Sequence, residues 1–169
     1  IVQLDTSGDL AATDAAGRWL ATASRSGFGV LELHGLSDGG RPDGTRLALP
    51  AMAGAGVSAL SFSPDGRLLA VSGTDGTTTL WNLDTRRWVA RLYMFGDGTW
   101  AVVDPAGRFD TNRLEDIRHL HWVLPDEPLR AFPLEIFMRQ YYEPRLLPRL
   151  LAGEPLAPVP PLDQLNRAQ

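Results

Sequence analysis

The chain contains no cysteine and no lysine among its 169 residues. The first absence removes disulfides, thiolate metal sites and a cysteine nucleophile, so no thiol chemistry can originate within it. The second leaves arginine to carry all 16 positive charges, spread from Arg18 to Arg167 without a run, against 20 acidic residues and a net charge of -4. That balance argues against a dedicated nucleic-acid or anionic-membrane binder, which concentrates positive charge. No apolar run reaches the roughly 18 to 20 residues that span a bilayer. There is no G-x-S-x-G elbow and no P-loop, so nucleophilic and phosphoryl chemistry have no anchor. No cofactor is expected. The chain opens on Ile1 rather than methionine, which reads as the start of a processed or excised piece, and the expected location is cytoplasmic.

What the chain does have is repetition. Asp14 to Gly27 reads DAAGRWLATASRSG, Ser63 to Gly76 reads SPDGRLLAVSGTDG, and Val103 to Asp110 supplies a shorter copy, VDPAGRFD. Gly17 and Gly66 stand 49 residues apart, and Gly107 follows Gly66 by 41. Periods of about 40 to 50 residues with alternating strands and turns are the signature of propeller blades. In the best copy, Val57 to Phe62 alternates apolar and small residues as a strand does. Ser63-Pro64-Asp65-Gly66 supplies proline and glycine where a tight turn needs them. Arg67 to Ser72, Thr77 to Leu83 and Arg87 to Phe95 are the strands predicted to follow.

With Leu80-Trp81-Asn82 closing its third strand, this segment resembles a WD40 repeat, well over Val57 to Leu92 and weakly over Leu10 to Leu49. The resemblance implies a buried set made from a turn aspartate, a strand tryptophan, a strand serine or threonine and a histidine of a Gly-His pair. Asp75 and Trp81 fit two of those places. Gly54-Ala55-Gly56 stands where the Gly-His pair would be, and Ser26 takes the turn place in the weaker copy, so both blades are divergent. The expected fold is all-β: two WD40-type β-propeller blades plus a partial one over residues 1–112, followed by a short C-terminal helical extension. Propellers have at least about four blades. The companions are expected upstream on the same polypeptide or, alternatively, from a homo-oligomer.

After Asp110 the pattern changes, and 9 of the 13 prolines fall between Pro125 and Pro161. Residues 113–153 are expected to hold one strand, His119 to Leu124, and two short helices. The first, opened by Pro133, carries Leu134, Phe137, Met138 and Tyr141 on one face. The second carries Leu146, Leu147, Leu150 and Leu151, with Pro148 kinking or starting it, and ends at Gly153. Residues 154–169 read as a proline-rich linker or tail. GDGTWAVVDPAGRFDTN, LHWVLPDEPL and YYEPRLLPRLLAG are similar to the region that closes the propeller of certain bacterial multidomain proteins, several of which contain a caspase-like peptidase domain. That likeness implies a propeller serving an effector elsewhere in the polypeptide.

His119 and His121 with Glu115 or Asp116 have the residue types for a metal site, yet a histidine pair beside Trp122 needs no metal, and none is expected. Gly54 to Ala59 matches G-x-G-x-x-A, but that motif needs a strand before it and a helix after it. Pro50 and a predicted strand flank it instead. The functional expectation is therefore noncatalytic: a protein-interaction scaffold in a larger bacterial protein, or else the regulatory segment of a peptidase whose catalytic domain lies elsewhere. Its partners are proteins or other domains of the same polypeptide. Arg139, Tyr142 and Arg145 are the expected exposed contacts, because aromatic and arginine side chains dominate binding hot spots.

Overall fold

The computed structural model describes residues 10–24, 31–38, 40–49, 56–114, 120–124 and 127–161. The chain divides into two units, Ile1–Val89 and Ala90–Gln169. In the first, β1 (Leu10–Thr13), β2 (Trp19–Ala23), β3 (Leu31–Ser37) and β4 (Arg41–Leu49) form an antiparallel sheet in chain order. The strands β5 (Val57–Phe62), β6 (Leu68–Gly73) and β7 (Thr77–Asn82) repeat the meander. Their bounds fall within a residue of those the alternation predicts, because turn chemistry fixes where each strand must stop.

One core serves both sheets. Ala21, Ala23, Leu31 and Leu33 of the first pack with Val57, Leu69, Val71 and Trp81 of the second. Burial of apolar area at about 25 cal/mol per Å² makes this shared cluster the main term holding the unit together. Trp81 is buried opposite Leu69 in register. Asp75 sits in its turn and accepts from the Thr77 N–H and hydroxyl at 3.0 and 2.8 Å. It organises that turn locally. Ser26 and residues 50–55 lie outside the described residues.

The repeated turns share one device. Asp14 Oδ1 accepts from the N–H groups of Arg18 and Trp19 at 2.7 and 2.9 Å. Asp104 Oδ1 accepts from Ala106 and Arg108 at 2.9 Å each. Ser63 does the same work with a hydroxyl, taking the Leu68 N–H at 2.9 Å. Both aspartates are buried and paired to the arginine four residues on, at 3.1 Å for Asp14–Arg18 and 2.7 Å for Asp104–Arg108. Arg18 also reaches the next repeat's turn, donating to the Asp65 carbonyl at 3.1 Å. Burial works to raise the Asp14 carboxyl, but hydrogen bonds from Trp19 and Arg18 together outweigh it and hold the group below the ordinary value of 3.8.

The strand β8 (Arg87–Met94) carries the chain from the first unit into the second. There it pairs with β9 (Trp100–Val103), which pairs with β10 (Phe109–Thr111). Beyond them lie β11 (Trp122–Leu124) and β12 (Glu127–Phe132). The single strand expected here is thus a hairpin, whose register shifts at Val123/Leu124. That irregularity lets Pro128 sit in a strand although it has no N–H to give to a ladder.

The apolar stripe predicted as one helix is a 3-10 turn, Leu134–Ile136, followed by a single-turn helix α1 (Met138–Tyr141). Its buried face is nonetheless the expected one: Leu134, Phe137 and Tyr141 pack with Phe109, Trp122, Leu124 and Phe132. Trp122 centres this aromatic cluster, 4.9 Å from the Tyr141 ring and edge-on to Phe109 and Phe137 at 5.9 and 5.7 Å. Its indole N–H donates to the Leu134 carbonyl at 3.2 Å. The helix α2 (Leu146–Ala152) ends on left-handed Gly153, as predicted, and Pro148 falls in its first turn, where a missing N–H costs nothing.

The stretch expected as a linker is tied down where it is described. Arg108 donates twice to the Ala157 carbonyl, at 3.2 and 2.6 Å. The Tyr141 hydroxyl donates to the Pro160 carbonyl at 2.5 Å, and Val159 packs against the aromatic cluster.

Two outcomes follow from the turn device. Gly66 has φ +68, and a Cβ there would stand 2.2 Å from an Arg18 nitrogen and 2.8 Å from an Asp14 oxygen. Gly66→Ala is expected to cost about 1–2 kcal/mol for the left-handed backbone and about 1 kcal/mol for the displaced Arg18 bonds. Urea denaturation of a double-mutant cycle should show the second part vanish when Arg18 is already alanine; equal penalties in both backgrounds would disprove the clasp. Because Asp14 is held below 3.8 in the fold, its contribution is present above that pH and is lost as pH falls through the folded value. Asp14→Asn should therefore flatten the acid limb of stability from about pH 5 downward, through the folded value. Parallel limbs for the two proteins would count against that role.

Candidate functional site

Within the second unit, the strands β8 and β9 and the start of α2 enclose a cleft of about 450 Å³. Leu92, Met94 and Trp100 come from the strands, Leu147 and Pro148 from the helix. The chemistry of the walls follows from the sequence. Leu92 to Phe95 is four apolar residues in succession, so alternation places apolar side chains on both faces of β8. Leu92 and Met94 share the face that lines the cleft, opposite Val102 and Trp100 in register, and Met94 is 68% exposed.

Two charged residues border this cleft, Asp110 and Arg145. Asp110 is buried, and its carboxylate is engaged by backbone: Oδ1 takes the Thr111 N–H at 2.8 Å and Oδ2 the Leu146 N–H at 3.3 Å. Those bonds fasten the start of α2 beside β10. Arg145 is exposed, caps the helix without a side-chain hydrogen bond, and has φ +59, a left-handed conformation costly for a residue with a Cβ.

The three residues expected as contacts are thereby separated. Arg139 is exposed on α1, and Arg145 lies on the cleft. Tyr142 is half-buried, with its ring 5.7 Å from Phe109 and its backbone bridged to that residue. The expectation of an exposed Tyr142 is corrected, because the chain turns extended after α1 and folds the ring back onto β10. Tyr141, its neighbour, is fully buried, and burial raises its hydroxyl above the ordinary value of 10.0. Leu92, Met94 and Trp100 escaped the sequence reading. The signal for them was the unbroken apolar run at the end of β8, which no single-faced strand requires.

The other motifs resolve more simply. His121 is exposed and borders a smaller hollow of about 220 Å³ beside Trp122, while Glu115, Asp116 and His119 lie outside the described residues. From Val57 the G-x-G-x-x-A stretch runs into β5, not a helix.

Residues 49–82 match the family described as WD domain, G-beta repeat. That family builds β-propellers which in general serve as noncatalytic protein-interaction scaffolds. Among solved structures, the chain is similar to the β-propeller domain of Cps50 (Swd1) from Myceliophteria thermophila, at 16% identity and a TM-score of 0.44. The match covers 64% of this chain and 36% of that one, so the chain spans little more than a third of that propeller. No curated protein matches.

Tyr142→Ala is expected to lower stability by about 1–3 kcal/mol through the lost ring packing. Arg139→Ala, on an exposed face, should stay within about 0.5 kcal/mol. Thermal denaturation of both variants checks this, and a neutral Tyr142→Ala would return that side chain to the surface.

Proposed function

We propose that this chain, which carries a WD40 repeat, is the C-terminal part of a propeller in a larger bacterial, cytoplasmic protein, where it acts as a noncatalytic interaction scaffold. The observation that carries the reading is the core shared by two successive antiparallel meanders, β1–β4 and the one begun by β5–β7, built on the same kind of turn. Each blade of a propeller buries a face against the next, and a ring needs at least about four of them. Further blades from the same polypeptide, or from copies of it, meet that requirement. The tail unit, with its aromatic cluster and cleft, supplies the surface for a partner protein or for another domain.

The test is the intact mass of the natively expressed parent together with its mass in solution. The expected result is a parent much heavier than 18.4 kDa, or one of that size that assembles into closed multimers. A parent of that size that remains a monomer would overturn the reading. A Cys-His catalytic domain on the same polypeptide would instead assign the segment a regulatory role in a peptidase.

A further inference from the structure

The stretch that follows α2 reads EPLAPVPP over residues 154–161. Proline fixes φ near −65°, and Ala157 and Val159, each placed before a proline, are pushed to extended backbone. Such a sequence favours the polyproline II helix, which turns once in three residues and makes no internal hydrogen bonds. Its contacts repeat with that period. Leu156 and Val159 are half-buried, while the residues around and between them are exposed. The Ala157 and Pro160 carbonyls, again three apart, accept hydrogen bonds from side chains of the second unit.

The receiving surface matches such a ligand. Arg108 donates to the Ala157 carbonyl through Nε and Nη2 at 3.2 and 2.6 Å, and its Nη1 is bound to the Asp104 carboxylate at 2.7 Å. The Arg108 side chain is only 11% exposed. Asp104 neutralises the guanidinium, so this donor suits a neutral carbonyl and disfavours an incoming carboxylate. Tyr141 donates to the Pro160 carbonyl at 2.5 Å, and Val159 packs against the aromatic cluster around Trp122. Two donors set for carbonyls one polyproline turn apart, beside aromatic rings, provide what docking of a proline-rich segment needs. A chain already held extended by its prolines loses little entropy on binding.

We propose that this surface is a recognition site for a proline-rich segment in the polyproline II conformation, and that residues 156–160 occupy it as an intramolecular ligand. The pattern it takes is an apolar residue, two further residues, a second apolar residue and a proline, as in Leu156-Ala157-Pro158-Val159-Pro160. A tethered segment competes at an effective concentration on the order of millimolar. The strap therefore keeps weaker proline-rich segments out of the site. This assignment stands apart from the scaffold reading, which the mass of the parent tests.

The experiment uses the full chain and a labelled peptide with the sequence of residues 153–161, Gly-Glu-Pro-Leu-Ala-Pro-Val-Pro-Pro. By fluorescence anisotropy, a chain carrying Leu156→Ser and Val159→Ser, whose own strap is weakened, should bind the peptide about tenfold tighter than the unaltered chain does. Exchanging Leu and Ala in the peptide keeps its composition, breaks the three-residue spacing, and should weaken binding to that variant about fivefold or more. Adding Tyr141→Phe, which retains the ring, should weaken the original peptide about fivefold, the worth of one hydrogen bond. The unaltered chain gives a second readout that no folding defect can confound. Its Val159 methyl proton signals should lie upfield under the aromatic rings and move toward random-coil positions as unlabelled peptide is raised to millimolar concentration. The proposal is overturned if the strap variant folds and does not bind, if the exchanged peptide binds as well as the original, if Tyr141→Phe changes nothing, or if the Val159 signals start at random-coil positions or ignore the peptide.

Discussion

The repeats depend on a side-chain oxygen that satisfies backbone N–H groups which the strand ladder cannot reach. A hairpin turn leaves such groups pointing inward, and a buried orphan donor costs about 1–3 kcal/mol. Asp14, Ser63 and Asp104 each accept from the backbone two to five residues ahead, with glycine at positive φ letting the chain turn back. The arginine after the glycine then does different work in each copy. Arg18 clasps the following repeat at Asp65, and Arg108 holds the proline-rich stretch at Ala157. One local motif thus fixes strand ends, and its arginine connects to sequence nearly fifty residues away.

The second unit is held by another means. Its helical elements are a 3-10 turn, one turn of α1 and seven residues of α2, all too short to persist by propensity, since isolated helices under about 12–15 residues are marginal. Aromatic packing around Trp122 supplies what propensity does not. The indole touches three rings, donates to Leu134, and thereby anchors the 3-10 turn that leads into α1. Asp110 then sets α2 through the Leu146 N–H. The cleft exists because these two anchors place α2 beside β9 with apolar residues between them.

Each buried carboxylate described in the turns and at α2 is consumed by backbone or by its arginine partner. The exposed large apolar residues among those described, namely Met94, Val123, Leu129, Ile136 and Leu151, all belong to the second unit.

The sequence by itself determined the strands and turns of the repeats, because a period of two, a Pro-Asp-Gly turn and a glycine at positive φ are local properties. It also determined which side chains of the 134–141 stretch are buried, since spacing alone puts Leu134, Phe137 and Tyr141 on one side. Only the tertiary structure decided that the 122–132 segment pairs as a hairpin, that Tyr142 turns inward onto Phe109, that the proline-rich stretch is pinned by Arg108 and Tyr141, and that Arg145 borders an apolar cleft. Each of those outcomes depends on a partner more than ten residues distant in the chain, except the hairpin, whose strands needed the aromatic cluster to bury Trp122 and Phe132. Packing against such partners is a sum over the whole unit, and no local pattern carries it.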